Sequence, residues 1–162
     1  MNESDSQRLQ YLCDELIRCQ DSLLIASRSK AGQADISYAP YVRIENLFYI
    51  FVSELAKHTQ NMLSYPQASI LFIEPEADAV NPFARKRLTF DCQVLEIVNT
   101  EQNFAVILNA LKEKFGEIVD LLSGLPDFHL LALKPVQGQF VAGFGKAFPV
   151  DEKGELLVQT KN

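Results

Sequence analysis

The stretch LFYIFVSELAKHTQNMLSYPQASILF (47–72) changes its period twice. LFYIFVS (47–53) is apolar and aromatic on successive residues, the pattern of a strand covered on both faces. From Ser53 onward the apolar positions fall at helical spacing instead, at Leu55, Thr59 and Met62 or Leu63. Ser53 is a residue type suited to N-capping and Pro66 stops a helix, so a short helix is predicted over about 53–65. ASILFIE (68–74) then returns to a strand.

Upstream, Leu9, Leu12, Cys13, Leu16 and Ile17 form one apolar stripe, with Asp5, Arg8, Glu15 and Arg18 off it, which predicts an amphipathic helix within 1–20. SLLIAS (22–27) and ISYAPYV (36–42) read as strands around a polar turn at Gly32, with Pro40 marking an edge or bulge and Glu45-Asn46 a further turn. Downstream, the two-proline loop EPEADAVNPFA (74–84) leads into the long strand RLTFDCQVLEIV (87–98). A second long helix is predicted over 100–123, with Phe104, Ile107, Leu111, Phe115, Val119 and Leu122 on one face and Gly124 and Pro126 ending it. FHLLALKP (128–135) and GQFVAGFGKAFPV (138–150) are the last strands, before a polar tail over 151–162 with a hairpin at Lys153-Gly154. Six or seven strands with three helices that do not alternate as crossovers describe one mainly β (α+β) domain over 1–162. The architecture this suits is an antiparallel closed or split β-barrel over 21–150 with flanking helices.

The chain has 162 residues, 48% of them apolar, which is enough for a real core. A net charge of −6 argues against a nucleic-acid partner, which needs a basic face to displace counterions. No apolar run is long enough to span a membrane, and MNESDSQRLQ has no signal-peptide character, so no membrane association and a cytoplasmic location are expected. Three cysteines, Cys13, Cys19 and Cys92, lack disulfide or zinc spacing and are expected to be reduced, and no metal site is predicted from spacing.

Three segments could carry chemistry. Ser53, Lys57, His58 and Thr59 stand at a predicted helix N-terminus, where free amides and a positive partial charge favour anions. Ser53 and Lys57, four apart, would share a helix face, which makes either a phosphate cradle or an ordinary cap with a solvated face. Arg85 and Arg87 alternate onto one side of a strand, either as a bidentate clamp for phosphate or carboxylate or as a charged edge that deters aggregation. Gly143 and Gly145, flanking Phe144 and preceding Lys146, mark either a bulge or the close approach of a ligand. No nucleophile elbow is present, and catalytic residues are not identified; His129, two residues after Asp127, is either a satisfied interior histidine or half of an acid–base pair.

LFYIFVSELAKHTQNMLSYPQASILF, RKRLTFDC and VAGFGKAF together resemble the pyridoxamine 5′-phosphate oxidase-like FMN-binding split-barrel superfamily, specifically its haem-utilisation (HugZ-type) branch, over roughly residues 10 to 150. The resemblance implies a six-stranded split barrel that forms a homodimer with cofactor sites at the subunit interface. It implies FMN, with its phosphate met by Ser53, Lys57, His58, Thr59, Arg85 and Arg87, and with Phe144 and Lys146 near the cofactor, in an oxidoreductase. The alternative it implies is haem in the same cleft, bound or degraded, with His58, Asp127 and His129 as candidate metal-side residues, since the branch takes its axial histidine from a C-terminal extension and no histidine follows His129. A third reading is a non-catalytic cofactor-binding or storage protein. The Arg/His motif of the vitamin-synthesising oxidases is not recognisable.

Overall fold

A computed structural model describes residues 1–157; the last five residues of the predicted polar tail lie outside the described residues. Helix α1 (Glu3–Arg18) is capped by the Asn2 side chain, which accepts from the Asp5 amide at 2.8 Å. It places acidic residues in the first turn and Arg18 in the last, as the helix dipole favours. Cys13, Leu16 and Ile17 of the predicted stripe are buried.

Eight strands follow: β1 (Ser22–Arg28), β2 (Ala34–Pro40), β3 (Val42–Ile44), β4 (Leu47–Ser53), β5 (Gln67–Ile73), β6 (Arg87–Ile97), β7 (Phe128–Gly143) and β8 (Lys146–Val150). All pairings are antiparallel, in the order β2-β1-β5-β6-β7-β4-β3 with β8 also on β7, and the sheet curls into a split barrel. Glu45 and Asn46, at φ 49° and 68°, form the two-residue turn between β3 and β4.

Two strand readings change. FHLLALKP and GQFVAG are one sixteen-residue strand, β7, rather than two. Pro135, which cannot donate to a ladder, is accommodated by a bulge in which Asp91 pairs with Gln137 and Cys92 with Pro135. GFGK, predicted inside a strand, is instead the turn between β7 and β8, with Gly143 and Gly145 at φ 151° and 70°.

Alternate residues of β1, β4, β5, β6 and β7 point inward to one core, centred on Tyr41, Phe48, Phe72 and Phe90 with ring centroids 5.2–5.9 Å apart. On the opposite face of β4 and β7, Tyr49, Leu130 and Ala132 are buried under α3 (Phe104–Phe115) and α4 (Ile118–Ser123). Burial on both faces explains why LFYIFVS lacks polar alternation. The single helix predicted over 100–123 is broken at Gly116, at φ 86°, whose amide closes α3 on the Lys112 carbonyl at 2.7 Å.

Candidate cofactor-binding site

Helix α2 (Lys57–Ser64) starts four residues later than predicted, with Ala56 as its cap and no capping side chain. Ser53 is used elsewhere. Its hydroxyl donates to Asp127 Oδ2 at 2.5 Å and accepts from the Leu55 amide at 3.1 Å, while the Glu54 amide donates to the Asp127 carbonyl at 2.7 Å. These bonds fix the tight turn between β4 and α2, so Ser53 and Lys57 do not share a helix face. The Lys57 ammonium, well exposed, leans toward Asp35 of β2 at 3.9 Å.

His58 and Thr59 follow Lys57 but point inward, at 8% and 0% exposure. His58 Nε2 and Thr59 Oγ1 are buried without a hydrogen-bond partner. Burial holds the His58 ring below its ordinary pKa, against the pull of the Asp35 carboxylate, so the ring is kept neutral. Asn61 Nδ2, one turn on, donates to Ser27 Oγ of β1 at 3.0 Å. The start of α2 therefore offers two buried polar atoms with unmet hydrogen-bonding capacity, next in sequence to an exposed ammonium loosely paired with Asp35.

The Arg85–Arg87 clamp is not formed. Arg85 Nε and Nη2 donate to the Glu74 carbonyl at 2.9 and 2.5 Å, and its Nη1 lies 3.4 Å from Glu76. Lys86 pairs with the Glu74 carboxylate, whose burial would raise its pKa but whose bonds to Lys86 hold it below the ordinary value. Arg87 donates to the Arg85 carbonyl at 3.2 Å and is otherwise exposed. The triplet stabilises the corner between β5 and β6.

The candidates fall into two groups. Gln67, just after α2, pairs with Gln93, whereas Ile73, at the other end of β5, pairs with Arg87. At about 3.3 Å per residue the two ends of β5 are roughly 20 Å apart. Ser53, Lys57, His58, Thr59, Asp127 and His129 gather at one end of the barrel. Arg85, Arg87, Phe144 and Lys146 lie at the other, where Arg87 pairs with Val141 and Phe144 is an exposed turn tip. Within one chain they cannot close on a single phosphate.

His129 is not a free ligand. Its Nδ1 lies 2.5 Å from Glu96 Oε1 and its Nε2 2.6 Å from Glu54 Oε1. Burial opposes its protonation, but the two carboxylates outweigh that and raise its pKa above the ordinary value. Of the chain's two histidines, only His58 has a ring nitrogen without a partner.

A cleft of about 530 Å³ opens on the outer face of β1, β5, β6 and β7 beneath the end of α2. There the Arg28 guanidinium lies 3.9 Å over the Tyr65 ring, and Asp91 accepts from Ser69 Oγ and Gln137 Nε2 at 3.0 and 3.1 Å. Sequence reasoning missed Arg28, Tyr65 and Asp91. The alternation of β5 and β6 places Ser69 and Asp91 on the outer face, but the bulge at Pro135 that brings Gln137 opposite Asp91 has no local signal.

The family model described as pyridoxamine 5′-phosphate oxidase matches residues 10–142. The chain is 38% identical over 151 residues to "Heme oxygenase HutZ" of Vibrio cholerae, covering 93% of this chain and 85% of that protein. The solved structure of HutZ, described as the heme storage protein from Vibrio cholerae, superimposes with a TM-score of 0.77 at 35% identity, over 83% of this chain and 94% of that one. Campylobacter jejuni ChuZ gives a TM-score of 0.82 at 29% identity, covering 96% of this chain and 63% of that one. A pyridoxamine 5′-phosphate oxidase-related, FMN binding protein of Nostoc punctiforme shares the fold, with a TM-score of 0.61 at 14% identity over 99% of this chain and 96% of that one.

Proposed function

This chain belongs to the pyridoxamine 5′-phosphate oxidase family, and from that premise we propose that it is a haem-binding protein of haem utilisation, working as a homodimer in the cytoplasm. The observation that carries the reading is the start of α2. There a neutral, buried imidazole nitrogen and a buried hydroxyl lack partners beside the Lys57 ammonium. Buried polar groups are nearly always hydrogen-bonded, and the two orphans suit a group arriving from outside the chain. Within one chain α2 and the Arg85–Arg87 corner lie at opposite ends of β5, so one subunit alone does not assemble an FMN phosphate site from both. The relative at 38% identity carries a haem name, whereas the FMN-binding neighbour at 14% identity supports the fold alone.

Lys57 would meet a propionate, with Arg28 a second cation at the same end of the barrel. The cleft of about 530 Å³, lined by Arg28 and Tyr65 beneath the far end of α2 rather than by Lys57, His58 or Thr59, falls within the roughly 300–1,000 Å³ of small-molecule sites. The exposed Ile36 and Tyr38 of β2 and Val136 of β7 give the outer face the apolar surface that a porphyrin or a second subunit would cover. When bound, haem supplies a redox-active iron; the chain supplies cations for the carboxylates, an apolar wall and exclusion of water. Three free cysteines suit a reducing compartment, and no helix among the described residues is long and apolar enough to cross a membrane.

The test is a haemin titration of the full chain followed by absorbance, with FMN offered in parallel. A saturable Soret change with haemin, weakened several-fold in Lys57→Ala and retained in His129→Gln, supports the reading. Flavin quenching and thermal stabilisation by FMN, without a response to haemin, would replace it with the flavoprotein reading.

A further inference from the structure

We propose that Glu54, His129 and Glu96 form a proton-dependent latch that holds the lead-in of α2 against the mouth of the barrel. The inference does not depend on which group the protein binds. Carboxylates accept hydrogen bonds and do not donate them, and a neutral imidazole carries a single N–H. With Glu96 2.5 Å from Nδ1 and Glu54 2.6 Å from Nε2, both bonds exist together only when the ring carries two protons. Loss of one proton to water leaves a ring lone pair facing a carboxylate at contact distance, which is repulsive.

The three residues come from different elements. His129 is the second residue of β7, and Glu96 is next to last in β6, a strand already hydrogen-bonded to β7 along its length. Glu54 is the first residue after β4, in the turn that leads to Ala56 and α2, and its carbonyl accepts from Gln60 Nε2 of α2 at 2.9 Å. The sheet cannot carry Glu96 away, whereas the turn can carry Glu54. On deprotonation the single remaining N–H therefore stays with Glu96 and the Glu54 arm lets go.

The charges facing His129 are those two carboxylates, together with Asp127 two residues earlier on its own strand, which is engaged by Ser53. Among the described residues no lysine or arginine pairs with Glu54 or Glu96, so the imidazolium is their only cation. The ring is 19% exposed, open enough to exchange its proton with water. What the latch governs is the seating of Glu54–Ala56, the segment that aims Lys57, His58 and Thr59.

The experiment is carried out on the full chain without added ligand. The ring carbon shifts of His129 are titrated by NMR, and amide hydrogen exchange of residues 54–60, corrected for its intrinsic pH dependence, is followed from pH 5.5 to 9. Protection of these amides falls as pH rises through the His129 midpoint, while amides of β5 hold steady. Glu54→Ala, at an exposed position, gives low protection that is flat with pH. Glu54→Gln, whose amide can accept from an imidazolium or donate to a neutral ring, gives protection that is higher and also flat. The latch is overturned if His129 titrates at or below about 6.5, the value of an unperturbed histidine. It is equally overturned if protection ignores that midpoint, or if Glu54→Ala keeps the wild-type pH profile.

Discussion

Ser53 Oγ donates to Asp127 Oδ2 at 2.5 Å, a bond between residues 74 positions apart that joins the end of β4 to the entry of β7. Asp127 is partly buried, and the same hydroxyl also accepts the Leu55 amide, so one side chain ties together a strand end, a turn and a distant loop.

Ser53→Ala removes a hydrogen bond to a charged acceptor and one turn bond, and is expected to destabilise the fold by about 2 kcal/mol. Asp127→Asn keeps an acceptor for the hydroxyl and should cost about half as much. Urea midpoints of the two variants measure the difference, and equal losses would show that the bond is incidental.

The two histidines give opposite pH slopes. His129 has a raised folded-state pKa, so its stabilisation is complete below the unfolded value near 6.5 and is lost as pH rises through the folded value. His58 has a lowered one, so stabilisation from its neutral ring is complete above 6.5 and is lost as pH falls through the folded value. Below about 4.5 the depressed carboxyl of Glu74 adds a further acid loss. Thermal midpoints against pH should show His129→Gln flattening the alkaline limb alone and His58→Gln flattening the acid limb between Glu74 and neutrality. An unchanged alkaline limb in His129→Gln contradicts the assignment.

Gly138→Ala is expected to be severe. A Cβ there would lie 2.4 Å from the Thr89 carbonyl oxygen and 2.8 Å from Val150 Cγ2, between the strands on either side of β7. Backbone cannot yield as a flexible side chain does, and overpacking of this kind costs about 2–3 kcal/mol. Gly124→Ala, whose nearest contact would be an ordinary 3.5 Å, should stay within about 0.5 kcal/mol. Denaturant melts of both variants test the contrast.

Cys13 and Cys92 are buried, and burial pushes their thiols up to about 12, whereas Cys19 is exposed at the end of α1. The native protein should therefore present one thiol to a disulfide reagent at neutral pH and all three in denaturant. Fast reaction of two or more in the native state would place the core elsewhere.

Much of the fold was legible locally. The α1 stripe, the Glu45-Asn46 turn and the aromatic β4 each follow from a run of adjacent residues. Phe115 and Val119 share an apolar periodicity that runs straight through Gly116, which hid the division between α3 and α4. The site was less legible because its decisive partners are remote in sequence. Ser53 has the residue type of a cap, but Asp127 claims its hydroxyl. Arg85 and Lys86 look like free cations until Glu74 is placed against both. From sequence His129 reads equally as an interior histidine or half of an acid–base pair, and only folding shows that both its nitrogens are taken.

β7 pairs with β6 along one side for most of its length and, on the other side, first with β4 and then with β8. Among the described strands only β8 is synthesised after it. Until Phe128–Gly143 is synthesised, β4 has only the three-residue β3 beside it and β6 only β5, so the nascent chain carries two open edges, one of them on the apolar, aromatic β4. Such edges pair readily with other chains, and barrel closure cannot begin until β7 has been made. The protein's greatest exposure to misassembly therefore falls during its own synthesis, when β1 to β6 are made and the central strand is not.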